Sequence, residues 1–175
     1  MILKLKRTPG IYLVGFMAAG KSTIGRLLAH EMGWSFADLD EDIEAAVGVS
    51  IAEIFDQRGE EEFRRIEHEA LRRRVRSIEQ GRPTVVALGG GSFAEEHNRA
   101  ILVESGVTIW LDCPFPLICD RLEGSSHRPL ARDRDLSRQL YDDRLPYYSQ
   151  AEYRIEIDSN DPAEIVTAIL KLPVF

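Results

Sequence analysis

Short apolar runs alternate along this chain with longer segments in which apolar residues recur every three or four positions. The runs are mostly β-branched and too short for helices, so they predict buried strands. The predicted strands cover 11–14, 34–38, 84–88, 107–111 and 153–157. The segments with helical spacing predict helices at 22–32, 41–47, 50–55, 60–77, 95–105, 114–122, 136–144 and from 161 onward. Strands that alternate with helices in this way indicate an α/β fold, with a parallel sheet covered on both faces.

Local signals set several of the expected helix ends. The segment SIAE at 50–53 has the spacing of a capping box, in which serine and glutamate each bond the other's backbone N–H. Asp161 followed by Pro162 supplies an N-cap and a first-turn proline for the last helix. The helix at 136–144 is predicted to end before Pro146, because proline cannot donate a backbone hydrogen bond.

The composition is that of one globular domain spanning residues 1–175. Apolar residues make up 44% of the chain, and no repeat, low-complexity tract or linker interrupts them. The net charge of −7 argues against a general affinity for nucleic acid or for an anionic membrane. No apolar run approaches the roughly 18 residues that span a bilayer, and the N-terminal segment lacks the pattern of a signal peptide. Cys113 and Cys119 are therefore expected to be reduced thiols in a cytoplasmic protein.

One segment carries a specific chemical signature. GFMAAGKS at 15–22 matches G-x-x-x-x-G-K-[ST] and lies between a predicted strand and a predicted helix, as a P-loop requires. Its glycines let backbone N–H groups turn toward an anion, and the following helix presents the positive end of its dipole. Lys21 is the only lysine between residues 7 and 170, and it can reach the β- and γ-phosphates. The Ser22 hydroxyl can bind Mg²⁺, so the segment predicts binding of a nucleoside triphosphate with one magnesium ion.

Two classes of P-loop protein are excluded by what the sequence lacks. A Ras-type GTPase needs Asn-Lys-x-Asp to read guanine, and none of the lysines supplies it. A transport ATPase carries a signature such as LSGGQ, which is absent. A small-molecule kinase remains, and its acceptor site and closing lid must come from the segments between the sheet elements.

Further sequence blocks give the chain a resemblance to a known family. They read DLDEDIE, SIAEIFDQRGEEEFRRIEHEAL, VVALGGG, HRPL and DDRLPYYSQAEYRIE, and they follow GFMAAGKSTIGRLLA in order. Over about 11–157 the chain resembles the shikimate kinase family. The resemblance implies a three-layer P-loop kinase fold of the nucleoside monophosphate kinase type, with a five-stranded parallel sheet in the order 2-3-1-4-5. It also implies a monomer that transfers the γ-phosphoryl group of ATP to the 3-hydroxyl of shikimate, in aromatic amino acid biosynthesis.

The resemblance implies roles for two aspartates that end the second predicted strand. Asp38 would help to hold Mg²⁺, usually through water, and Asp40 would bind the acceptor hydroxyl as the candidate base. The alternative for both residues is a helix N-cap without chemistry. Asp112 ends another buried strand, at the edge where open parallel sheets collect ligands, and is the second candidate for the metal side.

Charged side chains and glycines are implied to bind the acceptor. Arg64 would bind the shikimate carboxylate, Glu67 would orient Arg64 from one helical turn away, and Arg144 would be the second arginine for that carboxylate. Two guanidinium groups suit one carboxylate, because paired hydrogen bonds fix orientation as well as affinity. The triple glycine, Gly89-Gly90-Gly91, would place bare amides against the acceptor ring. The alternative for the charged residues is a solvated helix face with weak ion pairs. The alternative for the triple glycine is a simple tight turn.

The remaining implied roles concern the nucleotide and the lid. Arg128 lies in a polar stretch at about 123–135 and would close over the phosphates, acting in catalysis with Lys21 and Asp40. Arg121 would stack on adenine, which a guanidinium plane does well. The P-loop contacts with ATP would come from Gly15, Ala18, Ala19, Gly20, Lys21, Ser22 and Thr23. The acceptor-binding segment would cover about 39–68. No chemistry is assigned to the histidines, including His127 beside Arg128: His30, His68, His97 and His127.

Ala18 departs from the family pattern, which usually has glycine at this position. Alanine would cost on the order of 1 to 2 kcal/mol if the residue needs a positive φ, and little if φ is negative. We expect a functional loop.

Two other functions stay open at this point. A kinase of another carboxylate-bearing polyol, such as gluconate, would keep Lys21 and Ser22 but has less reason to combine DLD, RRIE and GGG. A ligand-sensing module with a kinase-like domain would bind without phosphoryl transfer. Such a module is expected to have lost Asp40 or Lys21, and both are present.

Overall fold

The computed structural model describes residues 10–123 and 134–175 of the chain. Five strands form one sheet: β1 (Gly10–Val14), β2 (Ser35–Asp38), β3 (Thr84–Ala87), β4 (Val107–Asp112) and β5 (Tyr153–Glu156). Their order across the sheet is β2-β3-β1-β4-β5, and every neighbouring pair is parallel. This arrangement confirms the expected α/β fold and strand order.

Helices connect the strands and cover the sheet. In the described ranges they are α1 (Lys21–Met32), α2 (Leu39–Val47), α3 (Ile51–Glu79), α4 (Glu96–Ser105), α5 (Phe115–Glu123), α6 (Arg134–Tyr148) and α7 (Pro162–Leu170). The helix α1 packs against α7, and α3 packs against α2 and α4. None of the helices within 10–123 and 134–175 combines the length and the apolar character needed to cross a bilayer.

The central strands supply the middle of the core. Every residue of β1 and of β3 is buried, as are the first five residues of β4. Strands covered on both faces need apolar side chains at successive positions rather than at alternate ones. That burial explains why these three strands appear in the sequence as continuous apolar runs. The edge strand β5 instead exposes Arg154 and Glu156 beside the buried Ile155.

Two of the expected helix N-termini have the predicted caps. Ser50 Oγ accepts a hydrogen bond from the Glu53 N–H at 3.2 Å, and the Glu53 carboxylate accepts one from the Ser50 N–H at 2.9 Å. Asp161 Oδ1 accepts a 2.9 Å hydrogen bond from the Ala163 N–H, with Pro162 in the first turn. The capping box and the proline N-terminus are therefore confirmed.

The predicted end of α6 before Pro146 is wrong, because the helix continues to Tyr148. Pro146 lacks the N–H that would bond the carbonyl of Asp142, four residues earlier. Backbone bonding resumes after the proline, where the Ser149 N–H donates to the Leu145 carbonyl at 3.0 Å. The last helical turn is also in tertiary contact, because Tyr148 is 1% exposed and its hydroxyl donates to the Gly90 carbonyl at 2.5 Å.

Two further features differ from the sequence prediction. The helices predicted at 50–55 and 60–77 form one element, α3, with a kink at Gly59. Gly59 has φ 78° and ψ 173°, a left-handed backbone conformation that favours glycine. A short 3₁₀ helix at Ser92–Ala94, directly after the triple glycine, was also not predicted from the sequence.

Candidate active site

A cleft of about 850 Å³ opens at the carboxyl ends of the strands. Its walls come from the loop after β1, the start of α2, the segment after β3 and the segment before α7. Parallel strands end at the same edge of the sheet, so residues far apart in the sequence meet there. The predicted site residues that line the cleft are Ala18, Ala19, Gly20, Lys21, Ser22, Thr23, Asp38, Asp40, Gly90 and Arg121.

The P-loop at 15–22 wraps around the N-terminus of α1. Lys21 Nζ donates hydrogen bonds of 2.8 Å to the carbonyl oxygens of Gly15 and Phe16, so the ammonium group lies across the loop. Gly20 is the N-cap of α1, with φ 96°. The first backbone N–H groups of the helix are therefore presented at the cleft together with the positive end of its dipole. This is the geometry by which helix N-termini bind phosphate.

Ala18 has φ 60°, the only positive φ of a non-glycine residue in the described ranges. An alanine in the left-handed region costs about 1 kcal/mol relative to glycine. Of the two backbone conformations considered for Ala18, the residue therefore has the one with positive φ, in which alanine is less favourable than glycine. Its carbonyl oxygen accepts a 2.9 Å hydrogen bond from Arg121 Nη1, which helps to hold this conformation.

A hydrogen bond joins the P-loop to the end of β2. Ser22 Oγ donates to Asp38 Oδ2 at 2.5 Å, while Asp38 Oδ1 accepts the Asp40 N–H at 3.0 Å. Asp38 is therefore also the N-cap of α2, the alternative considered for it in the sequence analysis. Its metal-side role stays a prediction, because a cap and a metal contact are compatible.

The donor atoms at this point suit Mg²⁺. Ser22 and Asp38 place a hydroxyl and a carboxylate in direct contact, and Mg²⁺ is usually bound by one or two such groups together with phosphate oxygens and water. In the described part of the chain, no group of three or more His, Cys, Asp or Glu side chains is placed to hold a metal. Ser22 and Asp38 could therefore hold a magnesium ion whose other ligands are phosphate oxygens and water.

Arg121 spans the cleft wall from the P-loop to the segment before α7. Its Nη1 donates to the Ala18 carbonyl at 2.9 Å, and its Nη2 donates to Asn160 Oδ1 at 3.1 Å. Asn160 and Pro162 line the same part of the cleft. These bonds fix the plane of the guanidinium group, and its stacking on adenine stays a prediction.

The triple glycine lets two carboxylates approach its first residue. A Cβ atom on Gly89 would lie 2.9 Å from Asp40 Oδ1 and 3.1 Å from Glu67 Oε1. Both distances are shorter than an ordinary carbon–oxygen contact, so a side chain at Gly89 would displace one of the carboxylates. The structure therefore brings Asp40 and Glu67 together at the start of this segment.

Two arginines contact the other residues of the triple glycine. A Cβ atom on Gly91 would lie 2.9 Å from Arg64 Cζ, and one on Gly90 would lie 3.1 Å from Arg144 Nη1. Arg64 belongs to α3 and Arg144 to α6, so the pair converges from two different helices. The predicted acceptor-binding residues thus surround one short backbone segment.

The buried pair Arg64–Glu67 leaves two polar atoms without hydrogen bonds. Arg64 Nη1 donates to Glu67 Oε2 at 2.8 Å. Burial raises the pKa of Glu67, the Arg64 charge acts in the opposite direction, and the Asp40 charge adds to the increase in that pKa. Arg64 Nε and Glu67 Oε1 have no hydrogen-bond partner among the described residues. Buried polar atoms are seldom left unpaired, so these two atoms are available to bond a water molecule or a polar ligand.

Asp112 and Arg65 are engaged outside the cleft. Arg154 donates to Asp112 Oδ2 from Nε at 2.8 Å and from Nη2 at 2.5 Å, which neutralises the second candidate for the metal side. Arg65 is exposed and pairs with neighbouring glutamates of α3, as expected of a solvated helix face. Arg128 and most of the predicted lid at 123–135 lie outside the described residues.

Two residues of this region were not predicted from the sequence. Tyr148 contacts Gly90, and the signal that could have indicated it is its position four residues after Arg144, on the same face of the helix. Asn160 fixes Arg121, and no sequence pattern marked it.

The fold and the site together define a class of protein. A parallel sheet in the order 2-3-1-4-5, a P-loop and an adjacent polar site built on the triple glycine are the features of a P-loop small-molecule kinase. The family model for shikimate kinase matches residues 17–172, and the chain belongs to the shikimate kinase family.

Individual relatives agree with this assignment over nearly the full length. The shikimate kinase of Persephonella marina is 40% identical over 161 residues, which cover 91% of this chain and 96% of that protein. The solved structure of shikimate kinase from Acinetobacter baumannii in complex with shikimate is 35% identical, with a TM-score of 0.84, and the match covers 93% of this chain and 90% of that one. Shikimate kinase from Aquifex aeolicus gives a TM-score of 0.80 at 35% identity, covering 92% and 94% of the two chains.

Proposed function

We propose that this chain transfers the γ-phosphoryl group of ATP to the 3-hydroxyl of shikimate, forming shikimate 3-phosphate and ADP for aromatic amino acid biosynthesis. The observation that carries the assignment is the convergence of Arg64 and Arg144 on adjacent residues of the triple glycine. Two guanidinium groups from different helices suit a rigid acceptor that bears one carboxylate. The contact of Asp40 with Gly89 adds a carboxylate for the hydroxyl side of that acceptor.

The P-loop acts on the phosphate side. Backbone N–H groups at the start of α1 bind the β- and γ-phosphates, and Lys21 exchanges its bonds to the Gly15 and Phe16 carbonyls for phosphate oxygens. Arg121, whose Nη1 donates to the Ala18 carbonyl of the P-loop, orients the adenine. These contacts hold the γ-phosphorus in line with the attacking oxygen, and positioning of this kind supplies much of the rate in phosphoryl transfer.

Asp40 acts on the acceptor side. The acceptor oxygen forms a bond to the γ-phosphorus while the bond from that phosphorus to the β–γ bridging oxygen breaks. The hydroxyl proton passes to the Asp40 carboxylate, and ADP leaves. Arg64 and Arg144 hold the acceptor carboxylate, and Glu67 keeps Arg64 in place through its 2.8 Å hydrogen bond.

Mg²⁺ would be held by Ser22 and, directly or through water, by Asp38, and when bound it supplies positive charge that neutralises the phosphates. Arg128, carried by the segment at about 123–135, would close over the phosphates and exclude water, which would otherwise compete with the acceptor hydroxyl. We further propose that the protein is a cytoplasmic monomer. The free thiols of Cys113 and Cys119 are compatible with a reducing compartment.

The test is the release of ADP from Mg²⁺-ATP with shikimate, quinate, gluconate or no acceptor. We expect turnover with shikimate and little with the other three mixtures. The variant Asp40→Asn should lower kcat by about 10²-fold to 10⁴-fold, because the base is lost while the side chain keeps its size. The matched control is Asp42→Asn, since Asp42 lies on the same turn of α2 but binds Arg74 through three hydrogen bonds.

The outcomes separate the three candidate functions. Faster turnover with gluconate than with shikimate would reassign the acceptor. Binding of ATP without turnover on any acceptor would overturn the enzyme assignment in favour of a ligand-sensing module. An Asp42→Asn variant as impaired as Asp40→Asn would show that Asp40 has no special part in the reaction.

A further inference from the structure

Tyr148 lies at the end of α6, directly behind the triple glycine. Its side chain is 1% exposed, and its hydroxyl donates a 2.5 Å hydrogen bond to the carbonyl oxygen of Gly90. Gly90 lines the cleft, so the bond reaches the backbone of the acceptor site from the protein side. A buried tyrosine hydroxyl needs a hydrogen-bond partner. Because the partner here is the Gly90 carbonyl, the bond connects α6 to the backbone that lines the cleft.

The Arg144 guanidinium lies near the same hydroxyl, one helical turn earlier on α6, because both groups approach Gly90. A guanidinium group can only donate and a carbonyl oxygen can only accept, whereas a hydroxyl does both. Since the Tyr148 proton is donated to Gly90, the Tyr148 oxygen is left to accept a hydrogen bond from Arg144. A Cβ atom on Gly90 would lie 3.1 Å from Arg144 Nη1 and 3.8 Å from the Tyr148 oxygen, which places all three groups together.

Burial raises the pKa of Tyr148 to about 12, with the Arg144 charge acting in the opposite direction. The hydroxyl thus keeps its proton at neutral pH, and the bond to Gly90 persists there. Arg144 also lies over the face of Phe16, with 5.7 Å from Arg144 Cζ to the ring centroid. A contact of that kind is weakly directional, so a hydrogen bond donated to the Tyr148 hydroxyl would determine where the guanidinium points.

We propose that Tyr148 is a positioning residue for the acceptor: it aligns the Arg144 guanidinium with the Gly90 backbone. Arg144 can then bind the acceptor carboxylate while the Gly90 backbone contacts the acceptor ring. The inference rests on the proposed function, because it takes Arg144 as a carboxylate ligand. Without the hydroxyl, Arg144 regains rotamer freedom that must be lost when the acceptor binds, and affinity falls accordingly.

The test is the variant Tyr148→Phe, which removes one oxygen atom and keeps the buried ring. We expect KM for shikimate to rise about tenfold, with kcat and KM for ATP changed by less than about twofold. The matched control is Tyr141→Phe, on the same helix. Tyr141 is also buried, and its hydroxyl also donates to a backbone carbonyl, that of Cys113, at 3.1 Å. We expect Tyr141→Phe to lower the thermal unfolding midpoint by a similar amount and to leave KM for shikimate unchanged.

A double-variant cycle with Arg144→Lys tests whether Tyr148 acts through Arg144. If it does, Tyr148→Phe should raise KM for shikimate by less than about twofold in the Arg144→Lys background, although it raises it about tenfold alone. A structural effect independent of Arg144 would instead multiply the KM of both backgrounds by the same factor.

Several results would overturn the inference. It falls if Tyr148→Phe leaves KM for shikimate unchanged while Arg144→Lys raises it, an outcome that leaves the proposed function in place. It also falls if the two substitutions multiply in the cycle, or if Tyr141→Phe raises KM for shikimate equally. No turnover of shikimate by the unsubstituted chain would overturn the proposed function itself, and the inference with it.

Discussion

Ser22 Oγ donates a 2.5 Å hydrogen bond to Asp38 Oδ2, and this bond connects the P-loop to the end of β2. The carboxylate receives a second bond from the Asp40 N–H, so Asp38 orients both the nucleotide side and the acceptor side of the cleft. Its position is set by the parallel pairing of β2 with β3 and of β3 with β1, which brings the ends of these strands to one edge of the sheet. The effect of the Asp38 charge on activity and its role as the N-cap of α2 can be tested separately.

Replacing Asp38 by Asn removes the charge and keeps the helix cap, because Asn caps helices as well as Asp does. We expect kcat with shikimate to fall on the order of 10²-fold, and the Mg²⁺ concentration for half-maximal rate to rise, because a metal ligand is lost. The measurement is ADP release at fixed ATP over a Mg²⁺ titration. Asp112→Asn is the control, since Asp112 also ends a strand but binds Arg154. An equal shift in the control would make Asp112 the metal-side residue.

Burial of Glu67 predicts a stability that depends on pH. Its folded-state pKa is raised above the ordinary value of 4.5, so the folded chain holds this proton more tightly than the unfolded chain does. The free energy of unfolding should therefore fall as pH rises from about 4.5 through the raised pKa. The variant Glu67→Gln has no titrating carboxyl group at this position, so it does not lose stability through this group as pH rises. Its amide oxygen can still accept a hydrogen bond from Arg64. We expect the free energy of unfolding of the variant, relative to the unsubstituted chain, to increase with pH over that window.

Urea unfolding at a series of pH values measures this difference. The control is Glu53→Gln, which should show the opposite sign. Hydrogen bonds from Ser50 lower the pKa of Glu53, so its contribution to stability is present above its ordinary pKa and is lost as pH falls. A Glu67→Gln difference that stays flat across the range would contradict the effect of burial on Glu67.

The positive φ of Ala18 predicts a small gain from glycine. Ala18→Gly should raise the free energy of unfolding by up to about 1 kcal/mol, because relief of the left-handed strain is partly offset by the greater entropy of the unfolded chain. KM for ATP should change by less than about twofold, because the loop already has this conformation. Thermal unfolding and ATP-dependent kinetics measure the two effects. The neighbouring variant Ala19→Gly should instead destabilise, since Ala19 is fully buried. A large gain in ATP affinity from Ala18→Gly would contradict our expectation of a functional loop.

The approach of Arg64 to Gly91 predicts a loss of acceptor affinity from one added methyl group. In Gly91→Ala the Cβ would lie 2.9 Å from Arg64 Cζ, so the guanidinium must move while the backbone can stay. We expect KM for shikimate to rise by at least about tenfold, with little change in KM for ATP. Steady-state kinetics with each substrate varied in turn measures this.

The control for Gly91→Ala is Gly33→Ala. Gly33 has φ 66°, and a Cβ there would meet no atom of the described residues within 4 Å. This variant should lower the unfolding midpoint through backbone strain and leave both KM values unchanged. Equal effects of the two variants on KM for shikimate would show that glycine flexibility, rather than contact with Arg64, governs acceptor binding.

Much of the fold could be predicted from the sequence because its signals are local. The strand cores at 11–14 and 107–111 are continuous apolar runs, and the P-loop is a spacing of four residue types next to a strand. The cap at 50–53 depends on two side chains three residues apart. Each of these structures is held largely by neighbours in the chain, so a short window contains its cause.

The acceptor site could be predicted only in part. The resemblance named Arg64, Glu67 and Arg144, but their mutual arrangement depends on how α3 and α6 pack around the triple glycine. The extension of α6 past Pro146 was predicted wrongly for the same reason. The last turn of α6 is in tertiary contact through the bond from Tyr148 to Gly90, which joins residues far apart in the sequence.

By itself, the sequence determined the alternation of strands and helices, the P-loop and the membership of a kinase family, since these follow from local spacing and from ordered motifs. Only the tertiary structure decided the φ of Ala18, the pairing of Asp112 with Arg154 and the hydrogen bond from Tyr148 to Gly90. The physical reason is that the packing of distant segments sets burial and hydrogen-bond geometry, and no short stretch of sequence contains both partners of a long-range contact.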